Sequence, residues 1–121
     1  MKNQIENIIN WNKIAGNNDF NKHLEASMLS EEFAETIIAI KNKDKIEVLD
    51  WVCDIFIIGV WTLHKLWFTS EQISKAMDLI MENNYSKFQY DEKWSHICIK
   101  DENWKILKPE WFTPVDLSYL V

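Results

Sequence analysis

A chain of 121 residues with 47% hydrophobic content and only two Gly and two Pro fits one domain of long helices and argues against a turn-rich β-fold. Its net charge of -6 argues against broad nucleic-acid binding, which needs basic surface to neutralise phosphates. All 13 basic residues are Lys, so phosphate contacts from this chain must use Lys, Asn, backbone N–H groups or a metal ion rather than an Arg clamp.

The polar, interrupted start, MKNQIENIINWNK, does not read as a signal peptide. The longest apolar run, Ile55 to Trp61, is too short to span a bilayer. A cytoplasmic protein without membrane partners is expected. Helix 1 is predicted over Lys2–Ile14, with Ile5, Ile8, Ile9 and Trp11 inward and Gly16-Asn17-Asn18-Asp19 as C-cap and loop. Helix 2 runs from about Asn21 to Lys41, with Leu24, Met28, Leu29, Ala34, Ile37 and Ile38 at inward spacing. Asn42-Lys43-Asp44 breaks the chain. Helix 3, about Lys45–Leu66, is apolar on almost every side from Trp51 to Leu63. Such a helix must be enclosed all round, and a second subunit supplies the cover economically, so a homodimer or homotetramer is expected. Cys53 and Cys98 lack any paired spacing and read as reduced thiols. Thr69 and Gln72 stand at capping-box spacing before helix 4, about Ser70–Asn84, which buries Ile73, Met77, Ile80 and Met81. Alternating residues then predict a small β-hairpin over about Trp94–Lys108, followed by an irregular tail whose Trp111, Phe112 and Tyr119 pack over the helices. One domain, 1–121, is expected: helical core about 2–87, hairpin and tail about 88–121.

Two acidic clusters interrupt helices otherwise patterned for burial: Glu31, Glu32 and Glu35 on helix 2, and Glu47, Asp50 and Asp54 on helix 3. Spacings of three and four return to one helix face. Glu32 and Glu35 therefore project together, and so do Glu47, Asp50 and Asp54. The short break makes the two helices antiparallel neighbours with the clusters at similar height. Crowded like charges repel, and oxygen ligands converging from two helices suit Mg²⁺, which cancels that repulsion. The other reading is a solvated acidic face. Asp54, set between Cys53 and Ile55 at the start of the apolar stretch, favours the metal site, because an unpaired carboxylate there is costly. Trp51, Trp61 and Trp67 read as core. Trp11, before a polar loop, is a candidate for stacking a base. His23, His64 and His96 form no ligand spacing.

The ordered motifs resemble the MazG-like all-α nucleotide pyrophosphohydrolases, in particular their small phage-type members. Glu32-Phe-Ala-Glu35, extended by Glu31, matches the ExxE half of that family's metal motif, and Asp54 the aspartate of the following ExxD half. Trp51 stands where a Glu is usual, Asp50 gives a DxxxD variant, and Glu47 with Asp50 also forms an ExxD. Asn83-Asn84-Tyr85-Ser86-Lys87-Phe88 is similar to an N-x-x-S-K-F segment. Asp101 to Pro109, with Phe112 and Pro114 to Leu117, is similar to a tail reading DENGKVLKP…PDL, with Trp104 in place of its turn Gly. The likeness covers roughly residues 24–118. It implies an all-α, four-to-five-helix bundle and Mg²⁺-dependent hydrolysis of nucleoside triphosphates, dNTPs foremost, between the α and β phosphates. It implies Glu32, Glu35, Asp50 and Asp54 as ligands of Mg²⁺ (or Mn²⁺), Glu31 and Glu47 as residues orienting water, and Asn84 and Lys87 as phosphate contacts. Two alternatives stand beside it: a phosphoribosyl-ATP pyrophosphohydrolase-like enzyme, and a helical oligomerisation or regulatory protein with degraded motifs.

Overall fold

The structure is a computed structural model that describes residues 2–90, 96, 97 and 99–121. It is all-helical in character, with four helices: α1 (Lys2–Ile14), α2 (Lys22–Lys41), α3 (Lys45–Lys65) and α4 (Ser70–Tyr85). Each expected helix forms within a residue or two of its sequence-read bounds because the punctuation is local. The Asn21 side chain accepts the N–H groups of His23 and Leu24 at the start of α2. The Asp44 carboxylate accepts the Glu47 N–H at the start of α3. Before α4, Thr69 N–H donates to Gln72 Oε1 and Gln72 N–H to Thr69 Oγ1, the reciprocal pair its spacing predicts.

The first three helices end alike. At α1, Gly16 N–H reaches Lys13 O and Asn17 N–H reaches Asn12 O; at α2, Lys43 and Asp44 N–H reach Ile40 O and Ala39 O; at α3, Trp67 and Phe68 N–H reach His64 O and Leu63 O. These are Schellman closures, which place one residue in the left-handed region. That residue is Gly16 at φ 71°, Lys43 at φ 53° and Trp67 at φ 71°.

The chain divides into two compact units, Met1–Ile73 and Ser74–Val121. In the first, Ile5 and Ile9 of α1 meet Val60 of α3 and Ile73, with Ile8, Phe56, Leu63 and Phe68 packed against them. Each fully buried Ile or Val contributes about 1.5–3 kcal/mol of transfer free energy. Leu63 and Phe68 also bracket the α3 closure, so core packing and helix termination support each other. α2 packs along α3. Lys65 Nζ donates to Glu25 Oε1 at 2.6 Å, with both side chains buried, so the end of α3 lies against the start of α2 and the two helices are antiparallel.

Several inward assignments are corrected. Leu24, Ile37 and Ile38 of α2, Met81 of α4 and Trp11 of α1 are exposed, and the buried residues of α2 are Glu25, Thr36 and Ala39. The helix periodicity is right, but its apolar positions outnumber the neighbours available to cover them. Trp67, read as core, is 88% exposed because it occupies the left-handed corner just past α3. Trp111 and Tyr119 of the tail are exposed rather than buried.

In the second unit, β1 (Gln89–Tyr90) pairs antiparallel with β2 (His96–Ile97) over two residues each. Within the described part of the hairpin expected over 94–108, an antiparallel bridge joins Lys100 and Ile106, and β2 pairs with β1 instead. Asp101 Oδ1 accepts the N–H groups of Asn103 and Lys105, with Trp104 at φ 65°. The turn forms locally, through the Asp101 side chain. Trp94 and Cys98 lie outside the described residues. Ser118–Leu120 forms one 3₁₀ turn. No described helix is long and apolar enough to cross a membrane.

Candidate functional site

The antiparallel pairing of α2 and α3 brings the two acidic clusters together around Glu32. This half-buried side chain has one oxygen, Oε2, shielded from solvent and without a hydrogen-bond partner. Burial pushes its carboxyl above the usual carboxylate range, and the charges of Asp54, Glu35, Glu31 and Asp50, in that order, push it further. Glu35 and Glu31 sit three residues and one residue from Glu32 on the same helix, but Asp54 and Asp50 act from the neighbouring one. Asp54, on the neighbouring helix, is the strongest of these four charges on Glu32. Thr36 Oγ1 donates to Glu32 O at 2.6 Å, which ties this turn of α2 to its own side chains.

Glu47 is not among the charges acting on Glu32. It shares a cavity of about 220 Å³ with Glu35, Trp51 and Asp44, near the α2–α3 turn. Glu35 thus lies between two groupings, with Glu32 and Asp54 on one side and Glu47 on the other. Trp51 lines that second cavity.

Do these residues fit a divalent cation? Among the described residues, no group of three or more His, Cys, Asp or Glu side chains is close-set enough to hold an ion as placed. The chemistry of the donor set nevertheless matches a hard cation: oxygen donors only, from two helices, one of them shielded and unpartnered. Four carboxylates act on Glu32 here, and a 2+ charge beside it offsets both its burial and the repulsion that adds to it. The donor set fits Mg²⁺ or Mn²⁺ on that ground.

Trp11 stacks on Trp61 with ring centroids 5.1 Å apart and planes 11° from parallel. One face of Trp11 is therefore covered by indole, and the residue remains 55% exposed. Trp61 lies seven residues after Asp54 on α3, which returns to the same helix face about 10 Å further along the axis. Asn84 and Lys87 belong to the second unit, where they line a separate cavity with Tyr85 and Phe88. His23 is exposed, and the side chain of His96 lies outside the described residues. His64 Nε2 is 3.1 Å from Asn18 Oδ1, a structural link between α3 and the loop after α1.

The buried Glu25–Lys65 pair was not anticipated from the sequence. Glu25 lies at the start of α2 and Lys65 at the end of α3, and both read as ordinary solvated helix-terminal charges. A signal existed in the seven-residue interval between Glu25 and Glu32, which sets both on one stripe of α2. No family model, curated protein or solved structure matches this chain.

Proposed function

We propose that this chain is a Mg²⁺-dependent nucleotide pyrophosphohydrolase that cleaves nucleoside triphosphates, dNTPs foremost, between the α and β phosphates, giving the monophosphate and pyrophosphate. The observation that carries the reading is Glu32: a shielded, unpartnered carboxylate oxygen surrounded by four further carboxylates from two antiparallel helices. Such a cluster destabilises a fold unless a cation compensates it. The ordered resemblance to MazG-like enzymes over roughly residues 24–118 adds the substrate class.

Glu32, Glu35, Asp50 and Asp54 would hold the ion. When bound, it supplies positive charge that draws the triphosphate to an acidic site and offsets charge growing on phosphate oxygens. Glu31 and Glu47 would orient a water molecule and take its proton as oxygen bonds to phosphorus. The bond from that phosphorus to the bridging oxygen breaks, and pyrophosphate departs with the electron pair. Glu47 suits the role through its shared cavity with Glu35. The exposed face of Trp11 is the candidate base platform, backed by Trp61. Asn84 and Lys87 are phosphate-contact candidates in the second unit.

We assign the enzyme as a homodimer or a homotetramer in the cytoplasm. Ile38, Ile46 and Leu49 on α2 and α3 are 59%, 80% and 68% exposed, an apolar surface that favours a second copy. The same observation supports the second reading, a helical oligomerisation protein without catalysis. A dNTP panel separates the two: pyrophosphate release with Mg²⁺, lost in Glu35→Gln and Asp54→Asn while helical content is kept, is the expected result. Wild-type turnover in either variant would overturn the ligand assignment. Absence of turnover with every nucleotide would leave the oligomerisation reading.

A further inference from the structure

The second unit holds two ammonium groups on one aromatic ring. Lys87, just past α4, and Lys108, in the tail, each place Nζ 5.4 Å from the centroid of Phe112. One cation over a phenyl ring gains a modest attraction. A second cation at the same ring gains no more per contact and adds like-charge repulsion. Among the described residues, neither ammonium has a carboxylate within salt-bridge reach. Two cations are thus gathered at one ring with no counter-charge among the described residues, in a protein whose net charge is -6.

Lys87 also forms part of the wall of a cavity of about 350 Å³, with Met81, Asn84, Tyr85, Phe88 and Ile106. Tyr85 and Phe88 meet edge to face there, at 5.6 Å and 80°. Asn83, next to Asn84, donates its side-chain N–H to Thr113 O, one residue beyond Phe112. That bond ties the end of α4 to the tail beside Phe112. An apolar, aromatic cavity with a cationic rim suits a planar ring bearing a negative group. Two ammonium groups without Arg are point charges, which suit the several oxygens of a phosphate better than one planar carboxylate.

We propose that Lys108 acts with Lys87 as a phosphate-binding pair about Phe112, and that the adjoining cavity accepts the ring of a nucleoside phosphate. The inference rests on reading Asn84 and Lys87 as phosphate contacts, adds Lys108 and Phe112 to them, and seats the ring in this aromatic cavity in place of the Trp11 face. The source of the phosphate is a nucleotide or free pyrophosphate, and the test distinguishes them.

The full chain, freed of metal with a chelator, is titrated with pyrophosphate, a nucleoside monophosphate and the unphosphorylated nucleoside, followed by amide NMR and calorimetry. The monophosphate and pyrophosphate should shift signals in residues 84–88 and 106–112, and the nucleoside should bind at least tenfold more weakly. Lys108→Gln and Lys87→Gln should each weaken phosphate binding at least fivefold, and Lys108→Arg should largely retain it. Lys108 is exposed, so the Gln variant should fold. Wild-type affinity in Lys108→Gln overturns the pair. Equal affinity for pyrophosphate and monophosphate overturns the ring cavity. Glu35→Gln serves as the control: turnover lost with metal-free phosphate affinity unchanged separates failure at the acidic cluster from failure here.

Discussion

Glu32 carries an electrostatic load that its neighbours do not share equally. Its shielded oxygen has no donor, and four carboxylates face it. Removing that charge relieves repulsion whatever the cluster binds, so Glu32→Gln should raise the metal-free stability measured in urea by on the order of 0.5 kcal/mol, while abolishing Mg²⁺-dependent turnover. A destabilised Glu32→Gln would show that the carboxylate has a structural partner instead. The sequence made the participants legible, because spacings of three and four name a helix face. It did not make Glu32 the centre, since which member of a face meets the opposing helix depends on helix rotation and register. His64 offers a separate titration. Burial, then the nearby Lys13 and Lys65, hold its pKa below the ordinary 6.5, and Glu6 lines the same cavity as Lys13 and His64. The folded state thus binds a proton less readily than the unfolded chain. Its full contribution is present above pH 6.5, and stability should decline as pH falls below that value. Denaturation at pH 7.5 and 5.5 should show a drop that is smaller in His64→Gln. An equal drop in both would assign the effect elsewhere.

Helix termini decide more of this fold than apolar stripes do. Three successive helices close by the same backbone pattern, with Gly16, Lys43 and Trp67 in the left-handed position. Only the first uses the residue that suits it. Trp67 is 88% exposed, so little packing offsets its unfavourable φ. Trp67→Gly should therefore stabilise the protein by about 1 kcal/mol, read as a higher thermal midpoint; a loss of stability would mean the indole is packed in solution. The caps at Asn21, Asp44 and Thr69 were legible because side chain and target lie within three residues. The closures at Lys43 and Trp67 were not, since neither residue type advertises a positive φ. The seam between α2 and α3 is pinned by Lys65 and Glu25, at 0% and 5% side-chain exposure. Breaking it with Lys65→Met leaves a buried carboxylate unpaired and should cost about 3–5 kcal/mol, with much of that recovered in a double Glu25→Leu, Lys65→Met variant. A single variant as stable as wild type in urea would show that the pair contributes nothing to the seam.

At the scale of the whole molecule, the charge of -6 and the exposed apolar side chains point in different directions. Net charge keeps chains apart, whereas Ile46 and Leu49 on α3 and Ile38 and Ile40 on α2 offer surface to a partner. Leu49→Glu should convert the proposed dimer to monomer in sedimentation analysis with helicity retained, and a monomeric wild type would remove the dimer altogether. The sequence by itself determined the helical class, the four helices and their caps, because these depend on contacts within a few residues. It also determined which acidic residues share a face, through the fixed helical period. Only the tertiary structure decided that Asp54 acts on Glu32 from the neighbouring helix, that Glu47 shares a cavity with Glu35 and Trp51, that Glu25 and Lys65 are buried, and that Lys108 joins Lys87 at Phe112. Each of these is a meeting of residues distant in the chain, or a burial set by a neighbouring element. Such meetings are fixed by helix packing and chain path, which local periodicity does not encode.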